Sequence, residues 1–392
     1  MKINLKKYLL YSSVFAIFTE AFYFNLIIDW KLFYLILLVN YLLIFTYYKK
    51  IIFTKNFIFF IFFVFIHGLF CYTIIGIPFN YMLSQIIGIT IIGIYYYNFI
   101  QLYKVEEIIA VYLKMALVIS IIAYPMYFLG INFNANNDPR LSGILKEPAH
   151  YAIVIIPACY YFFKTKKYLS FFIVFGTLIL SNSSLGYIGC GLIFLLPNLN
   201  RKRLSYLVIV MPFILISFIY IYNNYTFFKM RVDDTYENLK VINTGKFKEE
   251  TNLSSYVMLA NVYIMKENVK DHPFGSGIGS HHYMHTENYI KELRPPKYLV
   301  KQNIHTNNSF DANSLAIRML SEFGVFGLLA ILIAIIAGVL VFSSKELIFL
   351  QGLFIYICLK LFRDGHYFPP EFFFFLCIFY ISYLNHFKKQ TH

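Results

Sequence analysis

The stretch Asp271-His272-Pro273-Phe274-Gly275-Ser276-Gly277-Ile278-Gly279 sits inside a polar, charged interval of about ninety residues that runs from Asn223 to Ala312. The sequence on either side of it is oily. About twenty apolar residues cross a bilayer, and hydrocarbon tolerates no solvated backbone. A polar interval of this length between two such runs therefore lies outside the membrane. The reading this imposes is a helical bundle with one large half-domain lying over its mouth.

Composition agrees. Hydrophobic residues make up 59% of the chain, aromatics 20% and charged residues only 14%, where a soluble globule carries about a quarter charged. The basic N-terminus, Met1 to Lys7, leads into apolar sequence with no small-residue cleavage site after it, and reads as a retained first span. The net charge of +14 would suggest nucleic acid in a soluble chain, but its distribution argues against that. Residues 224–312 hold eleven Lys/Arg and ten Asp/Glu, a net of +1, so the other +13 lies among the spans. An excess of Lys and Arg in cytoplasmic loops accounts for it, and nucleic acid is not a partner. Cys71, Cys159, Cys190, Cys358 and Cys377 all fall in apolar runs without a CxxC pair, which supports neither a disulfide framework nor a thiolate metal site.

Hydropathy predicts an all-α polytopic membrane protein of about 12 transmembrane helices, near 8–28, 32–48, 56–76, 81–99, 108–129, 148–163, 168–182, 185–199, 204–222, 321–342, 347–362 and 370–386. The chain divides into 1–222 (spans 1–9, with a motif loop at 131–148), the large loop 223–312 between spans 9 and 10, and 313–392 (spans 10–12). Sixteen Lys/Arg, among them Lys6, Lys7, Lys49, Lys55, Lys166, Arg201 and Lys388, fall on one side of this topology. The opposite short loops hold four: Lys31, Arg140, Lys146 and Arg363. Both termini are expected in the cytoplasm and the large loop outside.

Basic groups that defy the bias draw attention, because an ionisable group at a bilayer is costly unless it is paired or used. Arg140 and Glu147 share the loop that ends in Pro148. A guanidinium takes phosphate oxygens in a bidentate fork, and a neighbouring carboxylate can act as a general base. The same two residues could instead form an ion pair at a helix start, with Pro148 at the first helical position. Gly275, Gly277 and Gly279 follow a helix-like segment at 252–270 and lack a Walker lysine, so no phosphate loop is formed. They suit a turn that brings backbone close to a ligand or to the bundle. His281, His282 and His285 supply too few ligands for zinc without a third, and no metal is expected. His305 suits acid–base work, since imidazole titrates near neutrality. Arg318 and Glu322, four apart on a helix, fit an internal ion pair, or Arg318 joins Arg140 around an anionic head group.

Together these segments resemble the bacterial O-antigen polymerase and ligase superfamily, the Wzy/WaaL-type membrane glycosyltransferases. Arg140-Leu-Ser-Gly-Ile-Leu-Lys-Glu-Pro-Ala-His150 is similar to the family's Arg…Gly…Glu-Pro motif opening a mid-chain span. Asp271–Gly279 resembles its Pro-x-Gly-x-Gly-x-Gly. Asn313-Ser-Leu followed by Ser321-Glu-Phe-Gly-Val-Phe-Gly327 resembles the Asn-(Ser/Thr)-x-Leu…Glu-x-Gly-x-x-Gly that starts the next span. The chain departs from the pattern at Ala312, where many members have His, and near Ser255-Tyr256, where an Arg is common. The resemblance implies a GT-C-like, cofactor-free, metal-independent inverting transfer in the bacterial inner membrane, with the large loop periplasmic. The donor and the acceptor would both be undecaprenyl-pyrophosphate-linked oligosaccharides, and a chain-length regulator would be a partner. Arg140 would meet the departing pyrophosphate with Arg318 and Arg231 assisting, and Glu147 or His305 would be the base. Gly275, Gly277, Gly279, Asn313 and Glu322 would complete the substrate site. The alternatives are a ligase of the same superfamily and a lipid-linked oligosaccharide flippase.

Overall fold

The computed structural model describes residues 4–25, 29–49, 51–133, 139–198 and 226–390, with scattered positions between 212 and 224. Helices dominate. In chain order the longer ones are α1 (Leu5–Ala16), α2 (Leu32–Leu43), α3 (Lys55–Ile75), α4 (Phe79–Gln101), α5 (Val105–Phe128), α6 (Pro148–Lys164), α7 (Tyr168–Leu180), α8 (Ser184–Leu195), α9 (Thr226–Asn238), α10 (Leu253–Asp271), α11 (Leu315–Ser343), α12 (Ile348–Arg363) and α13 (Phe372–Gln390). One two-stranded hairpin, β1 (Tyr23–Asn25) with β2 (Asp29–Lys31), joins α1 to α2.

Among the described residues four helices are long and apolar enough to cross a membrane: α3, α4, α5 and α11. Shorter apolar helices accompany them, including α2, α7, α8 and α13. Large apolar side chains such as Phe59, Phe62, Phe70, Leu329, Ile333 and Ile336 are exposed. Outward-facing apolar surface of this extent is what lipid contact requires. The chain is a multi-pass, mostly helical membrane protein.

The first expected span differs. Residues 8–28 do not form one helix, because α1 ends at Ala16 and the chain turns through Thr19 and Glu20 into the hairpin. The Thr19 hydroxyl donates to the Ala16 carbonyl at 2.7 Å, and the Glu20 carboxylate bonds His150 at the start of α6. A side chain drawn to a polar partner on another helix ends the apolar run that hydropathy averages over. The ninth expected span, 204–222, lies outside the described residues for most of its length.

The centre of the bundle is α6. Tyr151 to Tyr160 are buried without interruption, a helix apolar on every side and therefore enclosed on every side. It packs most extensively on α12, then on α7 and α8. Buried tyrosines tie the neighbours to it: Tyr112 of α5 donates to the Val154 carbonyl at 2.7 Å, and Tyr160 donates to Gln351 of α12 at 2.6 Å. The large loop has its own small core of Tyr256, Val257, Ala260, Tyr263, Ile264, Met284, Leu293 and Leu299. This core lets the loop hold a fixed shape over the end of the bundle.

Candidate functional site

The joint between loop and bundle is built by a broken helix. Within α11, Gly324 has φ 54° and ψ −125°, a conformation open only to glycine. The break frees backbone groups that cannot stay unpaired at a membrane. The glycine-rich turn supplies the partners. Ser276 N–H donates to the Ser321 carbonyl, Gly277 N–H donates to the Glu322 carbonyl at 2.8 Å, and Val325 N–H donates to the Pro273 carbonyl at 3.0 Å. The turn and the helix thus complete each other's hydrogen bonding. A Cβ on Gly275 would lie 2.3 Å from the Glu322 carbonyl oxygen, so glycine is required by the approach itself. Gly277 and Gly279 approach Cys71 of α3 and Tyr81 of α4 in the same way. Of the two uses left open for these glycines, contact with the bundle is the one the geometry displays.

Side chains reinforce the joint. Asn268 of α10 donates to Ser276 Oγ and to both the carbonyl and hydroxyl of Ser321. His281 is buried, one ring nitrogen 2.8 Å from Ser321 Oγ and the other 2.9 Å from Asn261 Oδ1. Burial, reinforced by His285, Arg318 and His282, holds the His281 imidazole well below its ordinary value and so neutral. His285 is pushed down to about 4 by burial and by the neighbouring His282 and His305. His282 stacks on Phe310 and lies 2.6 Å from Ser309 Oγ. Among the described residues no group of three His, Cys, Asp or Glu side chains could hold a metal ion.

Beneath this joint lies the Arg318–Glu322 pair. Arg318 Nε donates to Glu322 at 3.0 Å, its two terminal nitrogens donate to the Gly365 carbonyl and to Gln85, each at 3.0 Å, and the guanidinium lies 4.0 Å over the Tyr367 ring. Tyr367 donates its hydroxyl to the second Glu322 oxygen at 2.7 Å. Both charges are buried, and the network satisfies the guanidinium on three sides. Of the two roles open for Arg318, the structure displays the internal pair.

A second polar cluster surrounds the start of α6. His150 Nδ1 meets the Glu20 carboxylate at 2.8 Å, and Lys360 meets Asp364 at 2.9 Å. Burial would raise the Glu20 carboxyl, but His150 outweighs it and holds the group below the usual carboxylate value. Asp364 is likewise lowered despite burial, by Lys360 and then His150. Glu371, buried beside them, accepts from the Tyr356 hydroxyl at 3.1 Å. Glu147 caps α6 without a side-chain cap bond and is exposed, one turn before His150. Arg140 is exposed too, and its loop is fixed by the Leu141 N–H bonded to the Leu180 carbonyl at the end of α7.

Between the large loop and the bundle opens a cleft of about 710 Å³. Asp233, Asp234, Glu237, Lys248 and Glu250 form its outer wall, and Asn307, Asn308, Asn313 and Arg363 line the side nearer the bundle. Arg363, the last residue of α12, donates to Ser184 Oγ at 3.0 Å and to Ser254 Oγ at 3.3 Å. Asn313 has φ 57° and accepts from Asn308 at 3.2 Å. Ala312 beside it, where the family pattern often has His, is buried at φ 55°. His305 stands inside the loop, its carbonyl accepting from Tyr256 at 2.8 Å and its Nδ1 buried without a partner. The Arg231 side chain lies outside the described residues.

The structure therefore gathers the expected residues into separate places. Gly275, Gly277, Gly279, Arg318 and Glu322 form the joint, Asn313 lines the cleft, Glu147 stands by the α6 cluster, and His305 lies in the loop. Residues 169–332, from α7 through the loop to the middle of α11, match the family model described as O-antigen ligase. This stretch carries an O-antigen ligase domain, which supports membership of the chain in the Wzy/WaaL superfamily. No curated protein and no solved structure matches the chain. The O-antigen ligase domain contains the glycine-rich turn and the broken helix of the joint and most of the cleft, while Arg140, Glu147 and Arg363 flank it. Arg363 and its two serine partners carried little sequence signal. Ser184 and Ser254 are ordinary hydroxyls, and Arg363 showed only as a cation on the wrong side of the charge bias.

Proposed function

We propose that this chain is a surface-polysaccharide polymerase, joining undecaprenyl-pyrophosphate-linked oligosaccharide repeat units at the periplasmic face of the inner membrane. The observation that supports it most is the cleft: polar, large enough for several sugar rings, roofed by the O-antigen ligase domain and set where the spans end. Its asparagines and carboxylates suit sugar hydroxyls, which need donors and acceptors in pairs. In the reaction the acceptor hydroxyl gives its proton to Glu147 or His305, and its oxygen attacks the anomeric carbon. The bond from that carbon to pyrophosphate breaks with inversion, and the pyrophosphate leaves on its lipid with its charge met by Arg140. Arg318 and Glu322 act by fixing the glycine-rich turn, and the loop excludes water. The energy comes from the pyrophosphate–sugar bond.

The description of the matched family favours a second reading, a ligase that moves finished glycan from the same lipid carrier to a core acceptor. A gel of surface glycolipid from a deletion strain separates the two. The polymerase reading expects core capped by one repeat unit. Bare core with long lipid-linked polymer would establish the ligase, and bare core with single repeats held at the cytoplasmic face would indicate a flippase.

A further inference from the structure

We infer that the end of the bundle opposite the cleft carries a seat for an anionic glycerophospholipid, whose phosphate meets Lys345 while an acyl chain lies along α11. The inference goes beyond the proposed function and does not depend on it. The cleft takes in Asn313, just before α11, and Arg363 at the end of α12. A second opening, of about 700 Å³, takes in the other ends of the same two helices: Val339, Phe342 and Lys345 at the end of α11, Ile348 and Phe354 at the start of α12. Lys164, the last residue of α6, also lines it.

Charge separates the two openings. Asp233, Asp234, Glu237 and Glu250 line the cleft, whereas among the described residues no Asp or Glu lines the second opening. Glu346, next in the chain to Lys345, lies instead 3.8 Å from His386 of α13. Lys164 has a contact of its own and lends only its charge, so the phosphate contact falls to the exposed Lys345. A basic pocket between span ends, on the side expected to be cytoplasmic, suits an anionic head group. The surface beside the opening makes the occupant a lipid. Val339 lines the opening and also continues an exposed apolar stripe of Leu329, Leu332, Ile333, Ile336 and Leu340. Steps of three and four residues keep that stripe on one side of α11. From Leu329 to Leu340 the helix rises about 16 Å, at about 1.5 Å per residue. An acyl chain reaches across half of a hydrocarbon core of about 30 Å, which is the same length. Phe342 and Phe354, 5.9 Å apart and edge to face, give the opening an apolar wall where stripe and head group meet.

The test uses the purified full chain in detergent, stripped of lipid and titrated with phosphatidylglycerol or with phosphatidylcholine of the same chains, whose choline cancels the phosphate charge. Native mass spectrometry counts the bound lipid. The unaltered chain is expected to hold phosphatidylglycerol at least about tenfold tighter than phosphatidylcholine. Lys345→Gln is expected to lose about fivefold for phosphatidylglycerol, the share of one lysine at a membrane surface, and nothing for phosphatidylcholine. Lys345→Arg should keep the binding. Val339→Trp, on the exposed face, fills the opening and should weaken both lipids. If the unaltered chain does not distinguish the two lipids, or if Lys345→Gln or Val339→Trp holds phosphatidylglycerol as well as the unaltered chain does, the assignment fails. A lysine that only complements the carbonyl end of α11 needs no lipid. In that case Lys345→Gln lowers the melting temperature equally with either lipid, and the assignment fails. Competition by inorganic phosphate would make the occupant a soluble anion, and stronger competition by undecaprenyl phosphate would make it a polyprenyl lipid. Either result overturns the glycerophospholipid and leaves the transferase reading standing.

Discussion

Two polar regions flank the same end of this bundle and use the same kinds of residue to opposite effect. At the joint, Arg318, Glu322, His281, Asn268 and Ser321 are buried and bonded to one another. In the cleft, Asn307, Asn308, Asn313 and Arg363 line an opening of about 710 Å³. The joint resembles a soluble core transplanted to a membrane boundary, where these side chains find hydrogen-bond partners inside the protein. The cleft lines an opening with polar side chains that bond partly to one another and to neighbouring hydroxyls. Buried charges hold a fold only when their network is complete, because an uncompensated ion at low dielectric is far more costly than the pair is favourable. An open polar wall contributes little to stability and remains available for binding.

The comparison predicts effects of different kinds from substitutions of the same residue type. Arg318→Ala strands the Glu322 carboxylate and removes three hydrogen bonds, and is expected to cost about 3–5 kcal/mol. Detergent-extracted protein should melt far earlier or aggregate on size exclusion. Unchanged melting would dissolve the distinction between joint and cleft. Arg140→Ala, in an exposed loop, is expected to reduce glycosyl transfer about a hundredfold or more, the usual cost of losing a donor to developing charge. Its melting temperature should not move. Arg140→Lys should recover little, since a point charge lacks the bidentate fork. A loss of stability that parallels the loss of transfer would return Arg140 to a structural ion pair.

Gly324→Ala sharpens the account of the joint. The new Cβ would lie 2.0 Å from the Pro273 carbonyl oxygen, at a φ of 54° that an L side chain rarely adopts. About 1–3 kcal/mol of strain is expected before any shift of the turn. Cysteine accessibility in the 273–279 turn should rise with it. The smallest effect concerns pH. His285 is held down to about 4 by burial, against an unfolded value of about 6.5. Between those values the unfolded loop binds a proton that the folded loop refuses, so stability falls as the pH drops through that window. Limited proteolysis of the loop should therefore speed up from pH 6.5 to pH 4, and His285→Phe should flatten the trend.

Most of the bundle was legible in the sequence, because hydropathy reports the one property a span must have. The runs expected at 56–76, 81–99, 108–129, 148–163, 347–362 and 370–386 lie within a few residues of helices α3, α4, α5, α6, α12 and α13, of which α3, α4 and α5 are long and apolar enough to cross a membrane. The first span failed because Glu20 binds a histidine on another helix, a contact that no window average contains. The joint was legible as a list of residues and not as a mechanism. Spacing showed Arg318 and Glu322 on one helix face, but the exchange of backbone bonds between Gly277 and Glu322 depends on the break at Gly324. Glycine-rich sequence alone suits a ligand or a neighbour equally well, and only the tertiary partner decides which. Arg363 was visible as an exception to the charge bias, while its serine partners, 179 and 109 residues away, could come only from the fold.

The central claim is that this protein joins lipid-linked glycans, and purified protein in vesicles tests it without the rest of the cell. Supplied only with undecaprenyl-pyrophosphate-linked oligosaccharide from its own host, the protein should make products of two or more repeats that are still carried on the lipid. Free undecaprenyl pyrophosphate should appear in step with each linkage. Arg140→Ala protein of unchanged melting temperature should make neither product. Single repeats that persist unchanged with active unaltered protein, and lengthen only when a core acceptor or an energised membrane is supplied, would contradict the polymerase account.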